Sequence, residues 1–150
     1  MLQVLFLAVL LTAGATGDAP VAVRAEDAPK AILYKNPQCG CCEGYAAYMR
    51  SNGFEVTVKA THDLANISRE AGVPSHLHGC HTMLVDGYVV DGHVPVNVVR
   101  KLLSERPPIA GISLPGMPTG SPGMGGNKTE PFVIHALPRD GGAPNVYARE

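Results

Sequence analysis

Three cysteines stand within four residues, Cys39-Gly40-Cys41-Cys42, and the fourth in the chain, Cys80, is followed at once by His81. A thiolate binds soft metals and attacks disulfides. Cysteines this close therefore carry one of two chemistries: shared coordination of a thiophilic ion, or dithiol–disulfide exchange through the Cys39-x-x-Cys42 pair. A framework of two structural disulfides would spread its cysteines along the chain, and adjacent Cys41 and Cys42 could join only as a strained vicinal bridge. The spacing argues against such a framework. The second loop also carries His76 and His78, and His93 follows in Gly92-His93-Val94-Pro95. Imidazole nitrogens beside thiolates favour Cu(I), zinc or an iron–sulfur cluster over hard cations. Met117 and Met124, in Pro-Gly-Met-Pro and Ser-Pro-Gly-Met contexts, add thioether sulfur, which selects Cu(I). The metal candidates are Cys39, Cys41, Cys42, Cys80, His81, His93, Met117 and Met124. His93 can equally cap a helix or bond backbone. His76 and His78 read as exposed loop residues, His62 and His135 as ordinary surface or core histidines, and Met83 as core.

These residues need elements to position them. Ala31-Ile-Leu-Tyr34 is a short apolar run that predicts a buried strand, ended by the turn signal Asn36-Pro37. Helix formers follow from Glu43 to Arg50, with Tyr45, Tyr48 and Met49 at helical spacing and Asn52-Gly53 as the stop. Thiols between that strand and that helix face the positive end of the helix dipole, which populates the thiolate for either chemistry. Phe54–Val58 alternates as a half-covered strand. Asp63 predicts the N-cap of a short helix with Leu64, Ile67 and Ala71 on its inner face. Thr82–Val85, Asp86-Gly87 and Tyr88–Val90 predict a two-residue hairpin, and Pro95 opens a last helix striped by Val98, Val99, Leu102 and Leu103 and stopped by Pro107-Pro108.

The predicted fold is therefore α/β, in the order β-α-β-α-β-β-α, with a mixed four-stranded sheet and flanking helices. That order, with a Cys-x-x-Cys after the first strand, resembles a thioredoxin-like fold. There, the residue before the third strand is a cis-proline packed on the cysteines; here His81 falls at that place. Unlike proline, an imidazole has a lone pair for a metal.

The 150 residues suit one domain, and a net charge of −1 without a Lys/Arg run argues against nucleic acid or an anionic membrane as partner. The apolar run Met1–Leu11 and the small residues behind it read as a secretory signal peptide over 1–25, cleaved between 15 and 25, which leaves no membrane span afterwards. Export places the mature chain in an oxidising compartment. Residues 26–106 then form the metal-binding domain. Most of the excess of glycine (17) and proline (13) falls after Arg106, so 107–150 reads as an extended Pro/Gly/Met-rich C-terminal arm packed on the domain, with a strand only at Pro131–Leu137.

The ordered set Lys35-Asn-Pro-x-Cys-Gly-Cys-Cys42, Asp63-Leu64, Gly72-Val-Pro74, Cys80-His-Thr82, Asp86-Gly-Tyr88, Gly92-His-Val-Pro95 and Pro115-Gly-Met-Pro-x-Gly-Ser-Pro-Gly-Met124 resembles the CopG-like family of periplasmic proteins associated with copper and silver resistance, over about Ala31 to Met124. The resemblance implies a thioredoxin-like fold, a periplasmic location and copper, Cu(I) above all, held by Cys39, Cys41, Cys42, Cys80 and His81, with His93, Met117 and Met124 as further ligands. It implies a copper-binding protein that sequesters, passes on or redox-cycles the ion in metal resistance, with other periplasmic copper-handling proteins as partners. The competing function is a thiol–disulfide oxidoreductase using Cys39 and Cys42.

Overall fold

A computed structural model describes residues 27–150. The expected leader, residues 1–25, lies outside the described residues. The first strand β1 (Lys30–Lys35) leads into α1 (Gly40–Ser51), β2 (Glu55–Ala60), α2 (Leu64–Glu70), a 3₁₀ turn at Ser75–Leu77, the hairpin β3 (His81–Val85) and β4 (Tyr88–Asp91), and α3 (Val96–Glu105). Three further strands follow: β5 (Ile109–Ser113), β6 (Val133–Pro138) and β7 (Asn145–Arg149). The seven strands among the described residues form one sheet in the order β2-β1-β3-β4-β5-β6-β7. Among the described residues no helix is long and apolar enough to cross a membrane.

The β-α-β-α-β-β-α order holds, but the expected four-stranded sheet is corrected to seven strands. The C-terminal part is not only an arm. β5 runs parallel to β4, which the crossover through α3 allows, and β6 and β7 add antiparallel strands. Gly111, one of the glycines after Arg106, is what lets β5 join: a Cβ there would sit 2.0 Å from the Val89 carbonyl oxygen. The extended stretch shrinks to residues 114–132, between β5 and β6.

Two helices, α1 and α3, share one core with alternate residues of the central strands, including Leu33, Met83, Val90, Ile112 and Ile134. Tyr45, Met49 and Leu102 are fully buried there, and side chains of this kind each contribute roughly 1.5–3 kcal/mol by leaving water. On the opposite strand residues, Val89 and Leu137 pack with Val73 and Leu77, beside Ala71. The turn Asp86-Gly87 has positive φ at both positions (47° and 80°), the geometry that a two-residue hairpin needs. Asp63 does precede α2, but its carboxylate bonds the Asn66 side chain (2.5 Å) and makes no side-chain cap, while Ser68 is the buried residue of that helix.

Register puts the chemistry at one end of the sheet. In the antiparallel β1–β3 pair, Lys35 at the end of β1 lies opposite His81 at the start of β3. Thr82 lies opposite Asp91 at the end of β4, and Asp91 beside Ser113 at the end of β5. The cysteine loop, the Cys80 loop, the segment after β4 and the stretch after β5 therefore all cross the same edge.

Candidate metal centre

The cysteine loop is held from beneath by Lys35. This lysine is 4% exposed, and its ammonium group donates to the carbonyl oxygens of Asn36 (3.3 Å), Pro37 (3.3 Å) and Cys39 (3.2 Å) and meets the Glu43 carboxylate at 3.1 Å. A buried ammonium is tolerable only when its protons are taken in this way. The turn is closed by the Cys39 N–H donating to the Asn36 carbonyl at 3.0 Å. α1 starts earlier than the sequence suggests, at Gly40, so Cys39 is its N-cap and Cys41 and Cys42 lie in its first turn.

Cys39 and Cys42 are joined by a disulfide, while Cys41 and Cys80 are free. The spacing argument against a disulfide framework thus meets one bridge, and it closes the Cys-x-x-Cys rather than stapling distant segments. The sulfurs crowd together: Cys41 Sγ is 3.3 Å from Cys39 Sγ and 3.9 Å from Cys80 Sγ, and Cys42 Sγ is 3.5 Å from Cys80 Sγ.

On the other side, Cys80 Sγ lies 2.8 Å from His93 Nε2 and 3.7 Å from His81 Nδ1. His93 Nδ1 is 2.5 Å from the Pro122 carbonyl oxygen. A carbonyl can only accept, so Nδ1 carries the proton and Nε2 presents its lone pair to Cys80. A ligand imidazole is oriented by this kind of bond in metal sites. His81 is fully buried, and its Nε2 is a buried polar atom without a hydrogen-bond partner among the described residues. Leaving such an atom unpaired is costly, so the orphaned nitrogen is a place where a bound group would relieve that cost. The ring is fixed by Tyr45 (centroids 4.5 Å apart) and by His93 (5.0 Å), and the Tyr45 hydroxyl donates to the Val94 carbonyl at 2.9 Å.

Electrostatics keep both imidazoles neutral. Burial, then the neighbouring His93, lowers the His81 pKa to about 3, and burial lowers that of His93 against the opposing Pro122 bond. Burial and then Cys41 push the Cys80 thiol up to about 12. A lone thiolate is thus disfavoured at Cys80, and a cation is what would stabilise it.

The sequence candidates come together as two overlapping groups whose ligand atoms all lie within 4.8 Å of one another: Cys39, Cys41, Cys42 and Cys80, and Cys42, Cys80, His81 and His93. Cys42 and Cys80 belong to both. Met117 is 53% exposed and Met124 half-buried. The stretch that carries them does reach the centre, but through a group that sequence reasoning missed, the Pro122 carbonyl. Its passage depends on Gly123, at positive φ, where a Cβ would lie 2.4 Å from the Tyr45 nitrogen. His62 and His76 are exposed, His135 is half-buried, and His78 bonds the Val73 carbonyl at 3.0 Å. Lys35 and the buried Asp91 were also missed as parts of the centre, because each acts on backbone that only the fold brings near.

Comparison with known proteins identifies the family. The family described as "Protein of unknown function, DUF411" matches residues 77–124, the span from the Cys80 loop to Met124. Two solved chains are similar over most of their length. One, described as "Copper resistance protein copG- Form 2", is 35% identical and aligns over 82% of this chain and 98% of its own with a TM-score of 0.76. The other, "Copper resistance protein copG- Form 1", is 35% identical over 81% and 96% with a TM-score of 0.74. No curated protein matches.

Proposed function

This chain belongs to the CopG-like family of copper resistance proteins, and from that premise we propose that it binds copper, as Cu(I), and sequesters it or passes it on in the periplasm. The observation that carries the reading is the meeting of four cysteine sulfurs with two neutral imidazoles, one of them ending in an unpartnered buried nitrogen. Sulfur-rich donors with imidazole suit Cu(I), and zinc or an iron–sulfur cluster are the less fitting occupants. Cys39, Cys41, Cys42, Cys80, His81 and His93 would hold the ion, with Met117 and Met124 as thioether donors from the stretch after β5. Bound copper would supply one-electron redox chemistry.

Each residue has its own task in this reading. His93, fixed as the Nδ1–H tautomer by Pro122, keeps a lone pair available at every pH where it is neutral. Cys39 and Cys42 serve as ligands only after their disulfide is reduced, since a thiolate is the ligand form. The order β2-β1-β3-β4, with β3 alone antiparallel to its neighbours, supports reading the first four strands as a thioredoxin-like core. Residues 1–25 serve export in this reading, and recovery of the mature chain from the cytosolic fraction alone would refute it.

Competition for Cu(I) against a chromogenic chelator, with the fully reduced protein, tests the proposal. Uptake of Cu(I) is expected, and a reduced, folded protein that leaves the chelator loaded ends it. The Cys39–Cys42 disulfide favours a second reading, thiol–disulfide exchange. Rapid reduction of insulin by the reduced, metal-free protein would support that alternative.

A further inference from the structure

Asp91 is fully buried at the end of β4, and both of its carboxylate oxygens are used. Oδ1 accepts the backbone N–H of Gly79 at 2.5 Å, and Oδ2 accepts the hydroxyl of Thr82 at 2.6 Å. Gly79 and Thr82 are the residues immediately before and after Cys80-His81. We propose that Asp91 is the positioning residue of the Cys80–His81 ligand pair, a proposal that rests on the copper reading of the centre.

The surroundings argue for a purpose beyond pinning the hairpin. Thr82 and Asp91 already face each other in the β3–β4 ladder, and the Gly92 N–H donates to the His81 carbonyl at 3.0 Å. The hairpin end is closed without a carboxylate. What the carboxylate adds is the bond to Gly79, which lies outside the ladder on the loop that delivers Cys80. A buried carboxylate is expensive to keep, and a neutral side chain would serve a hairpin at less cost. Thr82 is tied in turn to the Ser68 hydroxyl at 2.7 Å, on α2, so the clamp is anchored to a helix as well as a strand. Close packing leaves the loop one path: a Cβ on Gly79 would lie 2.5 Å from Gly92 Cα, and one on Gly92 would lie 2.2 Å from the Leu114 carbonyl oxygen. Within that path Asp91 fixes where the sulfur of Cys80 and the ring of His81 point.

Asp91→Asn keeps the size of the side chain but removes its charge, so the charge-assisted bonds that hold Gly79 and Thr82 become weaker neutral ones. Cu(I) affinity of the reduced variant, measured by chelator competition, is expected to fall about 10- to 100-fold, the usual loss when a group orienting a ligand is removed. X-ray absorption at the copper edge should show a weakened nitrogen shell, a change that lost stability alone would not bring. Thr82→Val, which removes the Oδ2 bond and the tie to Ser68 but leaves the Gly79 bond, should give a smaller loss in the same direction. Wild-type affinity and an unchanged nitrogen shell in Asp91→Asn would overturn the proposal. If that variant does not fold, wild-type affinity in Thr82→Val does so instead. A metal-free readout separates this proposal from the copper reading. In reduced protein without metal, alkylation of Cys80, followed by peptide mass mapping, should be several-fold faster in Asp91→Asn than in wild type. Equal rates count against Asp91 whether or not copper binds.

Discussion

The sulfur of Cys80 and the Nε2 of His93 stand 2.8 Å apart, although 13 residues separate them in the chain. The contact joins the loop before β3 to the segment after β4, and Cys80 also touches the sulfurs of Cys41 and Cys42. Cys80 is thus the hinge between the sulfur-rich and the nitrogen-bearing halves of the centre.

Cys80→Ser should therefore damage both groups at once. Its Cu(I) affinity is expected to fall by more than about 100-fold, beyond the usual loss for a group that only orients a ligand. His62→Ala, an exposed site away from the centre, should bind as the wild type does. Chelator competition on the two variants decides, and equal affinities would refute the assignment.

Metal uptake should release protons. With the Cys80 thiol pushed up to about 12, it is protonated at neutral pH, and an incoming ion must displace that proton. Apparent affinity should rise as pH rises, by about tenfold per unit for each thiol proton displaced. His81, with its pKa lowered to about 3, adds no proton competition above about pH 4. Titrations between pH 6 and 8 in weakly coordinating buffer check the slope.

The same buried His81 makes the metal-free protein sensitive to acid. Its folded pKa of about 3 lies below the unfolded value of 6.5, so between these limits the unfolded chain binds a proton that the folded chain refuses. Stability from this group is complete above about pH 6.5 and falls as pH drops, by up to about 1.4 kcal/mol per unit. Urea unfolding from pH 7 to pH 4 should show the loss, and His81→Phe should lessen it, leaving the smaller part that the lowered pKa of His93 contributes.

Thiol counting tests the bridge. Denatured without reductant, the protein should show two reactive thiols, Cys41 and Cys80, and after reduction all four cysteines. Cu(I) capacity should increase on reduction, because Cys39 and Cys42 then join as thiolates. Titration of oxidised and reduced samples side by side gives the comparison.

Gly123→Ala should unsettle the stretch that brings Pro122 to His93. Its φ of +80° and the short approach to the Tyr45 nitrogen both penalise a side chain. A cost of about 1–3 kcal/mol in stability is expected from the strained backbone alone, visible as a lower melting temperature. Gly125, with open space around it and no positive φ, should accept alanine with little change.

The centre was more legible in the sequence than the sheet around it. Cysteine spacing and the Cys80-His81 dipeptide are local signals, and so is the Asp86-Gly87 turn. Strands β5 and β7 escaped because their neighbourhood looks irregular: two prolines stand before Ile109, glycine interrupts β5, and β7 is an edge strand with little burial. Their pairing depends on backbone approach, as at Gly111, rather than on apolar alternation. His93 was ambiguous for a related reason. Its tautomer is set by a carbonyl 29 residues away, and no local pattern announces it. Asp91 went unnoticed in the sequence, since its partners flank a dipeptide that only pairing brings alongside.

The pairing of Lys35 with His81 also sets which changes of length the chain can absorb. Side chains along a strand alternate between faces, so a single residue deleted within β3 would turn the His81 ring to the wrong side, away from the Cys80 sulfur that its Nδ1 faces at 3.7 Å. The exposed turn after β6, around Gly141 and Gly142, has no such duty and could lengthen freely. Insertions should thus be cheap at that end of the molecule and ruinous in the five residues of β3.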